Sequence, residues 1–259
     1  MKWHFPMVLA VLVACASFGQ DRMPNDRQTP VVGKTSQASQ NVGPIPARIL
    51  FLGNSHLYFN SGVYYHLQKL AASADPPINL EEVHVVYPAV GLSLLAVRDH
   101  ALALQEIGSG KYDVVVLQED FQKATIDDFR FYGKKFVDSI LSVKARAIFF
   151  MDWDYAALSW IKIDGIAREN YALAKELGAE VSPVGLAWQA SAKMRPDIEL
   201  RMEDGEHPTL AGTYLAACTL FATIFDKSPV GLAYRRPLSK DIADFLQRVA
   251  WETYANQPK

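Results

Sequence analysis

The stretch YDVVVL, residues 112–117, decides how this chain is read. Three consecutive valines and a leucine leave no polar side. Such a run suits a strand covered on both faces, as in a parallel sheet sandwiched between helices. Working outward, the same kind of segment recurs on either side of helical patterns. Strands are expected at residues 48–53, 80–87, 145–153 and 180–184. Helices are expected at residues 61–74, 93–107, 127–142, 164–177, 208–225 and 239–254. In the first of them Val63, Leu67, Leu70 and Ala71 share a face, and Gly178 ends the fourth as a C-cap. Alternation of this kind predicts an α/β fold: a three-layer α/β/α sandwich around a parallel sheet of about five strands, flavodoxin-like in plan. In such sheets ligands gather at the carboxyl ends of the strands.

The chain has 259 residues, half of them hydrophobic, with a formal net charge of −2. That composition suits one sizeable globular domain. Lys and Arg are scattered, with no basic stripe, so no nucleic-acid partner is expected. Lys2 precedes an apolar run from Phe5 to Ala16, shorter than the roughly 20 residues a membrane span needs. Residues 1–18 therefore read as a signal peptide. Leu12-Val13-Ala14-Cys15 resembles a bacterial lipobox, which implies a lipid on Cys15 and an exported protein anchored in the cell envelope. Ordinary cleavage beside Ala14 and Ala16 is the competing reading. Residues 19–46 are polar and aperiodic, a flexible linker, and residues 47–259 form the domain. Gly33-Lys34-Thr35 looks like the end of a phosphate loop, but Gln28 stands where the earlier glycine is required. Cys218, the one other cysteine, falls in an apolar helical pattern and reads as a core residue.

The strand ends carry the chemistry. The first runs into Gly53-Asn54-Ser55-His56, the third into Gln118-Glu119-Asp120, the fourth into Trp153-Asp154. Near the C-terminus stands Asp204-Gly205-Glu206-His207-Pro208. A serine hydroxyl is a weak nucleophile until a base takes its proton. Histidine suits that task, and a carboxylate fixes its tautomer and steadies its charged form. Ser55, Asp204 and His207 form such a set. Pro208 suits the first helical position, which would make His207 the cap.

Four blocks in order, GNSH after the first strand, Gly91 after the second, VVLQE at the third and DGEHPTLAGTYLAA near the end, resemble the SGNH/GDSL hydrolases, in a branch with GNS for GDS. The resemblance spans about residues 49–225. It implies Ser55 as nucleophile, His207 as base and Asp204 as its partner. It also implies an oxyanion hole made by the backbone N–H groups of Ser55 and Gly91. The family's third donor is an Asn side chain after the third strand, where this chain has Gln118. Asn54 stands in place of the usual Asp. The function implied is an exported serine esterase, with O-acetyl groups on a carbohydrate as a substrate suggested by the family and the envelope location. The resemblance implies no cofactor.

Each residue also has a plainer reading. Ser55 would serve as a turn residue, His207 as a helix cap, Asp204 as a solvated loop acid with Glu203 or Glu206 as the true partner. Gly91 would serve a tight turn and Gln118 would tie loops together. His56 follows the nucleophile and is expected to point elsewhere. Asn54, Trp153 and Asp154 are candidate pocket residues, with packing at the sheet edge as the alternative for the last two. His66, His84 and His100 lack ligand spacing, so no metal is expected. Two other functions keep the same fold: a glycan-binding module at the cell surface and an O-acyltransferase.

Overall fold

The computed structural model describes residues 45–86, 100–235 and 237–258. The signal peptide, Cys15 and nearly all of the linker lie outside the described residues, as do Gly91 and the first part of the helix expected at 93–107.

Five parallel strands form one sheet: β1 (Arg48–Leu52), β2 (Glu82–Val86), β3 (Val114–Gln118), β4 (Arg146–Phe150) and β5 (Glu180–Ser182). Their order is β2-β1-β3-β4-β5. The valine run is the middle strand, and every residue of β3 is buried. It registers Ile49 opposite Val114 on one side and Val114 opposite Arg146 on the other. The chain leaves β1 toward β2, then crosses to β3 on the opposite side. The strand order therefore reverses at β1, and a crevice opens between the carboxyl ends of β1 and β3.

The helices are α1 (Val63–Ala72), α2 (His100–Gly108), α3 (Ile126–Ser142), α4 (Ile163–Leu177), α5 (Val184–Met194), α6 (Leu210–Phe225) and α7 (Lys240–Ala255). They pack in two groups, with α1, α5, α6 and α7 in one and α2, α3 and α4 in the other. The expected α/β fold is the observed one. Among the described residues no helix is long and apolar enough to cross a membrane.

Helix α6 is buried from Ala211 to Phe225, apolar all round as a core helix must be. Its three threonines stay satisfied by donating to carbonyls one turn back: Thr213 to Thr209, Thr219 to Leu215 and Thr223 to Thr219. Cys218 is fully buried here, as expected of a core residue. Gly178 ends α4 with a left-handed φ of 71°. Helix α5 is absent from the expectations above. It starts directly after Pro183 and β5, and the strand pattern there hides the change of period.

Two helices of the second group are tied by charge. Glu169 of α4 accepts hydrogen bonds from Arg130 of α3 at 3.0 and 3.2 Å, and from Arg168 at 3.1 Å. Burial pushes the Glu169 carboxyl up, but the two guanidinium groups outweigh it and hold its pKa below the usual range. A depressed carboxylate stabilises the fold above its unfolded pKa, and that stability is lost as pH falls through the folded value. Glu169→Gln is expected to lower stability by about 1–2 kcal/mol at neutral pH. The variant should also show a shallower acid-side loss in thermal melts. Parallel acid profiles for variant and parent would refute this.

Candidate active site

Strand β1 ends at Leu52 and the chain turns at Gly53. A Cβ at this position would lie 2.4 Å from Gln118 Oε1 and 2.6 Å from a Leu57 methyl, so the turn has room only for glycine. Asn54 then caps a 3-10 turn, Ser55–Leu57, its side-chain oxygen accepting from the His56 backbone N–H at 2.9 Å. The tight turn sends neighbouring side chains in different directions. Ser55 stays partly exposed, whereas His56 goes inside with 1% exposure. Among the described residues the Ser55 backbone N–H has no acceptor.

The structure brings Ser55 together with a loop 152 positions away. Ser55 Oγ lies 2.9 Å from His207 Nε2, and His207 Nδ1 lies 2.8 Å from Asp204 Oδ2. The other Asp204 oxygen accepts from the backbone N–H groups of Glu206 and His207, at 2.9 and 3.0 Å. The Glu206 amide first, then the His207 ring, pull the Asp204 pKa down to about 2. An anion facing Nδ1 keeps the proton there, which leaves the Nε2 lone pair toward the serine hydroxyl. Of the three carboxylates near His207 in sequence, Asp204 is the one on its ring, and Glu206 points to His56 instead.

The loop is held at both ends. Arg201 and Pro208 form an antiparallel bridge, the Met202 N–H donates to the His207 carbonyl at 2.8 Å, and Gly205 makes the bend with φ 72°. Phe59 lies flat against the His207 ring, centroids 4.2 Å apart. Asn60 donates to the Pro208 carbonyl and to Thr213 Oγ1, both at 2.9 Å, joining this loop to the segment after β1. The helix start corrects one expectation. Thr209 caps α6 through the Gly212 N–H, so Leu210 is the first helical residue and Pro208 lies before the cap. Thr209 supplies the hydroxyl acceptor that a helix N-terminus requires. His207 is a loop residue, not the cap.

Gln118 corrects a second expectation. Its Oε1 accepts from the Asn54 N–H at 2.8 Å, and its Nε2 donates to Asn54 Oδ1 at 2.9 Å and Asp152 Oδ2 at 2.8 Å. An amide has two N–H donors, and both are taken. Gln118 is also fully buried, so it has no donor for an oxyanion. It ties loops together, as the plainer reading had it. Asn54 serves the same network and is buried. Trp153 packs at the sheet edge: it is 1% exposed and stacked on Trp188 at 3.8 Å, with its indole N–H given to the Glu206 carbonyl. Asp154 does line a cavity, of about 420 Å³, with Trp188, Lys193 and Arg201, but Ser55 and His207 take no part in it.

Asp152, under the serine, was missed, and its contacts take in His56. Asp152 Oδ2 accepts from His56 Nδ1 at 2.7 Å, closing a ring of hydrogen bonds from Asn54 through Gln118 and Asp152 to His56. An acid two places beyond the end of a buried strand was the available signal. Burial alone would lower the His56 pKa. The charge and hydrogen bond of Asp152, helped by Glu206, prevail and raise it to about 9. These carboxylates favour the charged form of the His56 ring, which is stacked on Trp153 with ring centroids 4.6 Å apart. Its Nε2 is buried and has no hydrogen-bond partner among the described residues, and the nearest Glu206 oxygen, 3.6 Å away, makes a charge contact. His56, Glu206 and His207 each offer one ligand atom, all within 4.8 Å of one another. They are the group of described residues that could hold a metal ion.

No protein-family profile matches this sequence. No curated protein matches it. Solved structures do. A DUF4886 family protein from Bacteroides uniformis superposes with a TM-score of 0.65 at 15% identity, over 81% of this chain and 95% of that one. Axe2, an acetylxylan esterase from Geobacillus stearothermophilus, gives 0.55 at 14% identity, over 71% and 96%. A protein of Slackia heliotrinireducens, provisionally described as an SGNH hydrolase, gives 0.52 at 23% identity, over 68% and 98%. At these identities the likeness establishes that the chain shares the fold of SGNH hydrolases.

Proposed function

We propose that this chain is a serine hydrolase acting on carboxylic esters, with Ser55 as nucleophile, His207 as general base and Asp204 as its orienting carboxylate. The observation that carries the reading is the unbroken line of contacts from Asp204 through His207 to Ser55, at 2.8 and 2.9 Å. The shared fold with esterases supports it.

In this mechanism Ser55 Oγ attacks the acyl carbon while His207 Nε2 takes its proton. Asp204, an anion already, balances the imidazolium without moving. The charge on the carbonyl oxygen is met by the Ser55 N–H, with Gly91 as the family's second donor. His207 then gives its proton to the departing alcohol, leaving an acyl group on Ser55. A water attacks that ester, again losing its proton to His207, and the acid leaves as Ser55 recovers its hydrogen. Phe59 against the ring limits His207 to small movements between its two partners. O-acetyl groups on a carbohydrate are the proposed substrate, drawn from the acetylxylan activity in the name of Axe2. Export and a lipid on Cys15 complete the proposal, from residues 1–18 of the sequence.

A fluorophosphonate probe tests the core of this reading. The parent should label on Ser55, and Ser55→Ala should not. A parent that neither labels nor cleaves small acetyl esters would overturn it in favour of a glycan-binding module. Esterase activity that rises with an added sugar acceptor, with acetyl appearing on that sugar, would turn it into an acyltransferase.

A further inference from the structure

We propose that His56 Nε2, a Glu206 carboxylate oxygen and His207 form a three-ligand site for Zn²⁺, and that the bound ion silences Ser55. The first part stands on geometry alone, whereas the second rests on the hydrolase reading above.

Four observations converge on the site. His56 Nε2 is a fully buried ring nitrogen without a hydrogen-bond partner among the described residues, and it faces a carboxylate. The separation of 3.6 Å between that nitrogen and Glu206 Oε1 is too long for a hydrogen bond. It is close to the spacing of two ligands on one tetrahedral zinc, given metal–ligand distances of about 2.0–2.2 Å. The ligand atom of His207 lies within 4.8 Å of both. The rear nitrogen of each histidine is held by its own carboxylate: Asp152 on His56 at 2.7 Å and Asp204 on His207 at 2.8 Å. Zinc-bound histidines are oriented and made more basic in this way.

Two histidines and one glutamate are a nitrogen–oxygen donor set that zinc accepts, with a fourth position left open. Three carboxylates, Asp152, Asp204 and Glu206, surround the position, so a dication meets compensating negative charge there. Zinc binding displaces the His56 proton to solvent. Glu206 and His207 are both partly exposed, and a swing of the Glu206 side chain is the route by which an ion enters.

The consequence for Ser55 follows from one lone pair. His207 Nδ1 holds its proton toward Asp204, so Nε2 is the nitrogen able to bind a metal. That is also the lone pair facing Ser55 Oγ at 2.9 Å. It cannot serve both. Zinc there removes the base, and the serine loses its proton acceptor.

Calorimetric titration of the purified full-length chain with Zn²⁺, and visible absorption with Co²⁺, test the site directly. One ion per chain is expected, with the intense visible bands of a four-coordinate cobalt. Glu206→Gln keeps the shape of a half-exposed side chain and should weaken binding at least about tenfold, because losing even an outer partner of a zinc ligand costs that much. Fluorophosphonate labelling should slow with Zn²⁺ and return with a chelator. Absence of saturable binding, or binding unchanged in Glu206→Gln, overturns the site. If the metal-free chain labels normally in that case, the hydrolase reading survives the failure. If the chain binds zinc and cobalt but never labels, the metal site stands and the hydrolase reading falls.

Discussion

His207→Ala is expected to lower kcat/KM on a small acetyl ester by about 10⁴–10⁶-fold, with the fold intact. The ring is partly exposed and sits in a loop, so its removal opens no core cavity. What goes is the acceptor for the serine proton. Ser55→Ala should cost the same amount, and the double variant no more than either alone, because the pair acts as one unit. Asp204→Asn should cost less, about 10³–10⁴-fold, because it disturbs the ring's tautomer rather than removing the base. Steady-state kinetics with circular dichroism as a folding control would check all three. A His207→Ala enzyme within tenfold of the parent would mean that some other group activates the serine, or that the observed hydrolysis has another source.

Gln118→Leu is expected to damage both stability and activity, which separates its tying role from the oxyanion role that the family pattern implies. The change removes three buried hydrogen bonds, strands the Asn54 N–H and takes one of the two donors from Asp152 Oδ2. Losing three buried bonds and leaving one buried donor unsatisfied costs about 3–5 kcal/mol together. For a domain of this size the melting temperature should fall on the order of 10 °C. Activity should fall as well, because the turn that aims Ser55 hangs on Asn54. Gln118→Glu, nearly the same shape, should be no better: it supplies no donor and sets a second carboxylate against Asp152. A pure oxyanion donor would behave otherwise, with kcat lowered about 10²–10³-fold and the melting temperature unmoved. Thermal melts beside kinetics on the two variants decide between the roles.

The contrast between His207 and Gln118 marks what could be read early. Ser55 and His207 stood out because each occupies a strand or loop end in a recognisable order of blocks. The alternation of buried strands and amphipathic helices was legible for a local reason: burial writes a period of two or of 3.6 into adjacent residues. Helix α5 escaped because it follows β5 with Pro183 alone between them. Gly185 within it weakens the helical signal, although it is needed there: a Cβ would lie 2.2 Å from the Asp152 carbonyl oxygen.

From its residues alone this chain declares a parallel α/β sandwich, a serine at the end of its first strand and a histidine before its long apolar helix. Tertiary structure decided the company those residues keep. It put the Gln118 amide into Asn54 and Asp152, drew His56 beneath the serine, and turned Glu206 from His207 toward His56. The physical reason is directional. Periodicity reports which side of an element is buried, but a hydrogen bond depends on where two distant atoms point. Those directions are set by strand register and by the pitch of one short 3-10 turn. Neighbours such as Ser55 and His56 therefore went to opposite fates, one at the surface and one in the core.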